Sequence, residues 1–370
     1  MASDPLDLQG IDYVELYVSN ARQAAHFYRT ALGLRPVAYA GLETGVRDRV
    51  SWVVQRRNIR FVLTAPLLPD PAHPIAAHVA RHGDGVRDIA LRVADAGAAY
   101  REALRRGARG VQEPSAAADE HGRVVTASIA AYGDTIHSFV QRDGYEGPFM
   151  PGFQPIADPL PAPETGIAAI DHIVGNVELG RMDAWVAYYR DILGFKQFIH
   201  FDDQDISTEY SALMSKVMAN GSGKIKFPIN EPAEGRKKSQ IEEYLSEYRG
   251  EGIQHIALAT ADIHATVEAL RLRGVRFLDT PDSYYDRVDA RVPGHGEDLE
   301  RLRANRILID GEGLDKERRE DKLLQIFTET VIGPIFFEII QRKGNQGFGE
   351  GNFQALFESM EADQIARGVV

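Results

Sequence analysis

The chain has 370 residues, of which 44% are hydrophobic and 26% charged, with a formal net charge of -12 and no cysteine. This is the balance of a soluble globular protein. The negative charge opposes a nucleic-acid partner, and the missing thiols exclude a disulfide framework, a thiolate nucleophile and a zinc-finger-type site, so any metal must be held by nitrogen and oxygen.

One hydrophobic core rarely suffices at this length, and two domains are expected. The opening residues MASDPLDLQG lack the basic and apolar segments of a secretory signal. No apolar stretch approaches a membrane span, so the cytoplasm is the simplest address and no membrane partner is expected. Residues 11–18 read as a strand, 21–32 as an amphipathic helix, and 52–54 with 59–63 as paired strands. From Asp88 onward the same order of strand, helix and further strands begins again. Dense proline and glycine in PFMPGFQPIADPLPAPETG, residues 148–166, disfavour regular structure. The expected organisation is an N-terminal domain over 1–152, a linker over 153–165 and a C-terminal domain over 166–370.

The second half then repeats the first. GVRDIALRVAD from Gly85 matches GIQHIALATAD from Gly252, 167 residues later, with six of eleven positions identical. Ile11-Asp12-Tyr13-Val14 pairs with Ile170-Asp171-His172-Ile173 at an offset of 159, and Gln141-Arg142 with Gln341-Arg342 at an offset of 200. The growth from 167 to 200 places about 33 additional residues between Leu278 and Glu338.

Laying one half on the other sets His172, His255 and Glu338 against Tyr13, Asp88 and Ser138. A histidine in a strand is more often a hydrogen-bonded core residue than a ligand. Glu338, however, stands among Ile335, Phe336, Phe337, Ile339 and Ile340, where an unpaired carboxylate is costly. A cation held jointly by the three side chains removes that cost. Two neutral imidazoles and one carboxylate form the facial set preferred by non-haem iron(II), which leaves positions open for substrate and oxygen. Zinc accepts the same ligands. Alternation along a strand sends Phe336, Glu338 and Ile340 to one face, and likewise groups Gln325 with Phe327 and Pro228 with Asn230.

An ordered set of segments carries a family resemblance: Pro228-Ile229-Asn230-Glu231-Pro232, Lys238-Ser239-Gln240, Gln254-His255, Leu323-Leu324-Gln325-Ile326-Phe327-Thr328, Phe336-Phe337-Glu338-Ile339-Ile340-Gln341-Arg342, and Gly347-Phe348-Gly349-Glu350-Gly351-Asn352-Phe353. The chain resembles the 4-hydroxyphenylpyruvate dioxygenase family of the vicinal oxygen chelate superfamily over nearly its whole length. The resemblance implies an α+β fold of two homologous halves, each made of paired βαβββ modules curling into an open barrel. It implies one iron(II) per chain, held by His172, His255 and Glu338. It also implies oxidative decarboxylation, ring hydroxylation and side-chain migration, turning 4-hydroxyphenylpyruvate and dioxygen into homogentisate and carbon dioxide. The implied catalytic residues are Gln325 and Phe336. The implied substrate contacts are Ser215, Asn230 and Gln240 at the phenol end, with Pro228, Gln254, Phe327, Phe348 and Phe353; strict alternation alone turns Gln254 away from the metal. A homo-oligomer, dimer or tetramer, is expected. Residues 352–367 read as an amphipathic helix, either a packing element or a lid. Three rivals stand beside this reading: a hydroxymandelate synthase with the same ligands, an extradiol dioxygenase acting on catechols, and a non-catalytic binding module.

Overall fold

The structure is a computed structural model that describes residues 5–68, 70–157, 162–201, 213–232, 239–314, 320–349, 351–352 and 355. A βαβββ module recurs along the chain. The first comprises β1 (Gly10–Tyr17), α1 (Ala21–Leu32), β2 (Arg35–Ala40), β3 (Arg49–Arg56) and β4 (Ile59–Pro66). Helix α2 (Pro74–His82) leads to the second: β5 (Gly85–Arg92), α3 (Ala96–Arg105), β6 (Gly110–Asp119), β7 (Gly122–Ala130) and β8 (Ile136–Asp143). A two-residue strand, β9 (Gln154–Pro155), adds to the edge of β2. The third module is β10 (Ile167–Asn176), α4 (Met182–Asp191), β11 (Lys196–Phe201), β12 (Leu213–Ala219) and β13 (Lys226–Pro232). Helix α5 (Gln240–Tyr248) then precedes β14 (Gly252–Thr260) and α6 (Ile263–Arg271). Short helices α7 (Asp282–Tyr285), α8 (Val288–Arg291) and α9 (Leu299–Asn305) stand before β15 (Leu308–Leu314), β16 (Glu320–Phe327) and β17 (Phe336–Lys343).

The module helices begin and end where local chemistry dictates. Asn20 caps α1 by accepting the Gln23 N–H, and Asp95 and Asp262, 167 residues apart, cap α3 and α6 in the same way. Gly33 closes α1 with φ +76°, a left-handed conformation that few other residues adopt cheaply. Ala21, Ala24, Ala25, Tyr28, Ala31 and Leu32 form the buried stripe of α1.

Each half forms one sheet, ordered β6-β7-β8-β5-β1-β4-β3-β2-β9 and β11-β12-β13-β10-β14-β17-β16-β15. At both centres an antiparallel pair, β1 with β5 and β10 with β14, is flanked by parallel neighbours. Both central pairs carry an irregularity at the same place, between Ile11 and Tyr13 and between Ile170 and His172. Such a bulge leaves one residue out of the ladder and re-aims its side chain.

The outer faces of the two sheets share one apolar core. Phe337 of β17 reaches across to Tyr28 and Phe61 of the first half, and His137 of β8 reaches symmetrically to Tyr189 and Phe227 of the second. The inner faces differ. The first is packed with Tyr13, Ala38, Val53, Val62, Ala90, Val124, Val140 and Phe149, whereas the second has a smaller apolar group of Ala257, Leu323 and Ile340. No helix among the described residues is long and apolar enough to cross a membrane.

Candidate metal centre

His172, His255 and Glu338 meet on the inner face of the second sheet because three adjacent strands present them at matching heights. His172 is paired with Ala257, and Ala257 with Glu338; His255 lies two residues before Ala257, on the same face. All three side chains are buried, and one ligand atom from each lies within 4.8 Å of the others. Both imidazoles aim Nε2 at the same carboxylate oxygen, Glu338 Oε2, at 3.1 Å from His172 and 3.5 Å from His255.

Their other nitrogens are spoken for. His172 Nδ1 donates to Asp171 Oδ1 at 2.8 Å, and His255 Nδ1 donates to Gln254 Oε1 at 3.0 Å. With the hydrogen on Nδ1, each Nε2 presents a lone pair toward the carboxylate, which is the tautomer a metal requires. Glu338 Oε1 is buried with no hydrogen-bond partner. Ligands held at about 2.1 Å from one ion and at right angles stand about 3 Å apart, so the donor set fits a divalent transition metal.

The charges agree. Burial tends to lower His172, but the Glu338 charge and the bonds to Asp171 and Glu338 outweigh it and hold the group above its ordinary value. Burial prevails at His255 and lowers it. Burial would raise Glu338, yet the two histidines hold its carboxyl below the usual range. Asp171 is itself kept far below the carboxylate range: burial opposes this, but hydrogen bonds from Arg342 and His172 overcome it. Arg342 grips Asp171 with two bonds of 2.8 Å and donates on to the Gly347 carbonyl.

Aromatic walls surround the centre. Phe336 stacks on the His255 ring at 4.8 Å, Phe327 meets both rings edge-on at 6.1 Å, and Phe348 stands edge-on to His172 at 5.0 Å. Gln325 is fully buried on the same face, paired with Ile340, and neither of its amide atoms has a partner. An unsatisfied buried amide costs about 1–3 kcal/mol per group. Gly349 packs so closely against this amide that any β-carbon there would collide with it.

Ser215 and Asn230 are directly opposed on β12 and β13, with Pro228 two residues earlier opposite Val217. Asn230 also neighbours Asn176 of β10, two residues beyond Val174 on the His172 face and fully buried. Gln254 touches the metal centre through the far nitrogen of His255, although alternation turns it from the ion. Gln240 opens α5 and is exposed; no described contact joins it to Ser215 or Asn230. Phe353 and nearly all of residues 352–367 lie outside the described residues. Spacing and alternation do not mark Asp171 and Arg342 as site residues, although both recur as Asp12 and Arg142 in the aligned halves.

A model of the glyoxalase/bleomycin resistance protein/dioxygenase superfamily matches residues 10–143 and 169–288. A 4-hydroxyphenylpyruvate dioxygenase of Yarrowia lipolytica is 46% identical, the match covering 97% of this chain and 93% of that protein. One from Dictyostelium discoideum is 44% identical over 98% of this chain and its own full length. Among solved structures, a triple mutant of 4-hydroxymandelate synthase from Streptomyces coelicolor superposes with a TM-score of 0.81 at 31% identity, covering 98% of this chain and all of the other. The fold and these similarities place the chain in the 4-hydroxyphenylpyruvate dioxygenase family of the glyoxalase/bleomycin resistance protein/dioxygenase superfamily.

Proposed function

We propose that the chain is an iron(II)-dependent 4-hydroxyphenylpyruvate dioxygenase that forms homogentisate and carbon dioxide, as the names of its relatives suggest. The observation that carries this reading is the buried His172, His255 and Glu338 triad facing Phe336, Phe327 and an unsatisfied Gln325. When bound, iron(II) supplies a Lewis acid for the 2-oxo acid and electrons for dioxygen. The protein's own part is positioning. Phe336 and Phe327, perpendicular to one another at 81°, bound a slot suited to one aromatic ring. Gln325 is free to donate to or accept from a polar group of the substrate. Ser215 and Asn230, two polar residues opposed across β12 and β13, suit a phenol hydroxyl. Phe348 covers His172 and limits the access of water.

A second reading, a hydroxymandelate synthase, is favoured by the structural likeness to that enzyme. Both readings predict carbon dioxide release from 4-hydroxyphenylpyruvate; they differ in the product. Loading the purified chain with iron(II) under anaerobic conditions, admitting oxygen, and identifying the aromatic product by chromatography tests the proposal. Homogentisate supports it, hydroxymandelate replaces it with the second reading, and no carbon dioxide sinks both.

A further inference from the structure

A second cluster of ligand-type side chains lies far from the triad in sequence, where the two halves meet. Helix α2 carries His78 and His82 one turn apart, both buried, and the turn between β7 and β8 brings Asp134 against them. One ligand atom from each residue lies within 4.8 Å of the others. His82 Nδ1 is 2.5 Å from the Tyr248 carbonyl oxygen and its Nε2 is 2.8 Å from Asp134 Oδ2. A carbonyl only accepts, so Nδ1 carries a hydrogen, and Nε2 faces a carboxylate that also only accepts. Two acceptors at that distance need a cation between or upon them.

A proton on His82 would answer Asp134 alone. His78 asks for more: it is 5% exposed and neither ring nitrogen has a partner. The ring is held between Tyr17, edge-on at 5.3 Å, and His82 at 4.7 Å. Buried with both ring nitrogens unpartnered, His78 has a lone pair to offer a metal. Histidines four apart on a helix have the spacing with which helical pairs hold zinc, and an Nδ1–H donated to a backbone carbonyl fixes the tautomer of a ligand.

We propose that His78, His82 and Asp134 form a second metal site, for zinc(II), which ties α2 and the β7–β8 turn of the first half to Tyr248 of α5 in the second. The proposal does not rest on the reaction assigned above. Two guanidinium groups temper the affinity: Arg81 lies 3.4 Å from Asp134 Oδ2 and Arg87 donates to the Asp134 carbonyl. The Arg81 side chain is 59% exposed and has solvent to turn into. This positive surround disfavours hard cations such as magnesium and calcium, which bind oxygen ligands, and leaves zinc, which bonds strongly to imidazole.

The test is zinc stoichiometry on the full chain, stripped with chelator, reloaded with zinc(II) and dialysed. Wild type should retain two zinc ions per chain, His172→Ala/His255→Ala one, and His78→Ala one. Asp134→Asn, at a half-exposed turn position, removes charge at constant shape and should weaken the second zinc by about tenfold or more. Zinc should also raise the thermal midpoint of the His172→Ala/His255→Ala protein, and by less when Asp134→Asn is added. One zinc in wild type that vanishes with His172→Ala/His255→Ala overturns the proposal. So does a second zinc that survives both His78→Ala and Asp134→Asn. If His78→Ala does not fold, the Asp134→Asn affinity decides alone.

Discussion

The two inner faces share a frame and differ in what the frame holds. In the second half Asp171 sits at the bulge, is gripped by Arg342 and orients His172, while Phe348 lies over the imidazole and under the guanidinium. In the first half Asp12 sits at the equivalent bulge and is gripped by Arg142, and Phe149 lies edge-on to Tyr13 and beneath that guanidinium. Where the second half turns two imidazole nitrogens and a carboxylate toward one another, the first gathers donors around one acceptor. Tyr13 Oη and Ser138 Oγ both donate to Asp88 Oδ2, and the Ser138 N–H donates to Oδ1. The comparison teaches that bulge, Asp–Arg pair and covering phenylalanine are scaffold. What distinguishes the second half is the set of candidate ligand atoms that the scaffold presents.

The most severe way to break the comparison is to replace the candidate ligands and, separately, their first-half counterparts. His172→Ala, His255→Ala or Glu338→Ala should lower turnover by about a thousandfold or more, on the order of 4 kcal/mol in barrier, with loss of the bound metal. Tyr13→Phe and Ser138→Ala, made at the matching positions, should leave turnover within about twofold, under half a kcal/mol. Steady-state rates and metal content would check both, and an inactive Ser138→Ala would show that the first half takes part in the chemistry.

The shared Asp–Arg pair offers a finer contrast. Asp12→Asn and Asp171→Asn each spoil a buried ion pair and should each cost about 3 kcal/mol in denaturant melts. Only Asp171→Asn should also weaken metal binding, by about 10–100-fold, because only Asp171 orients a ligand. Equal metal titration curves for the two variants would remove Asp171 from the account.

Phe336 tests selectivity within the second half. Replacing it with isoleucine takes away the flat ring stacked on His255, and the substrate gains room to rotate. A barrier difference of about 1.4 kcal/mol redistributes products tenfold. Phe336→Ile should therefore release carbon dioxide yet yield some hydroxymandelate, read by chromatography; pure homogentisate would free Phe336 of this role.

The smallest effect concerns acidity in the first half. Burial raises Asp88 from 3.8 to about 7 despite its three donors, and the neighbouring Glu15 charge adds to the shift. A carboxyl raised in the folded state contributes stability that is complete below its unfolded value of 3.8 and is lost as pH climbs through about 7. Asp88→Asn, which cannot ionise, should flatten stability across that window and gain about 1 kcal/mol at about pH 8, the remainder forfeited where the amide presents N–H to hydroxyls. Melts at two pH values would check it, and a variant as pH-sensitive as wild type would shift the cause to another group.

Much of this is legible in the sequence. Offsets of 159, 167 and 200 residues align Tyr13, Asp88 and Ser138 with the triad because strand alternation preserves which side chains face inward. The same alternation predicts Phe336 beside Glu338 and Gln325 with Phe327. It hides Asp171, since a bulge breaks the period by one residue and no residue type announces it. It also misleads at Gln254, whose amide reaches the imidazole of its own neighbour. The added residues before Glu338 were visible as an expanded offset, but helices of four residues such as α7 and α8 are too short to show a period. The exposure of Gln240 depends on how the chain enters α5, which local pattern does not encode.

The reciprocal packing of Phe337 against Tyr28 and Phe61, and of His137 against Tyr189 and Phe227, bears on how the molecule comes apart. Each central sheet is completed on its outer side by a helix and strand belonging to the other half, so opening either half strips apolar cover from its mate. Heat or denaturant should therefore melt both together, in one cooperative transition. Amide protons in β8 and β17 should exchange only at the rate of that global event, while those of the exposed edge strand β6 exchange far sooner.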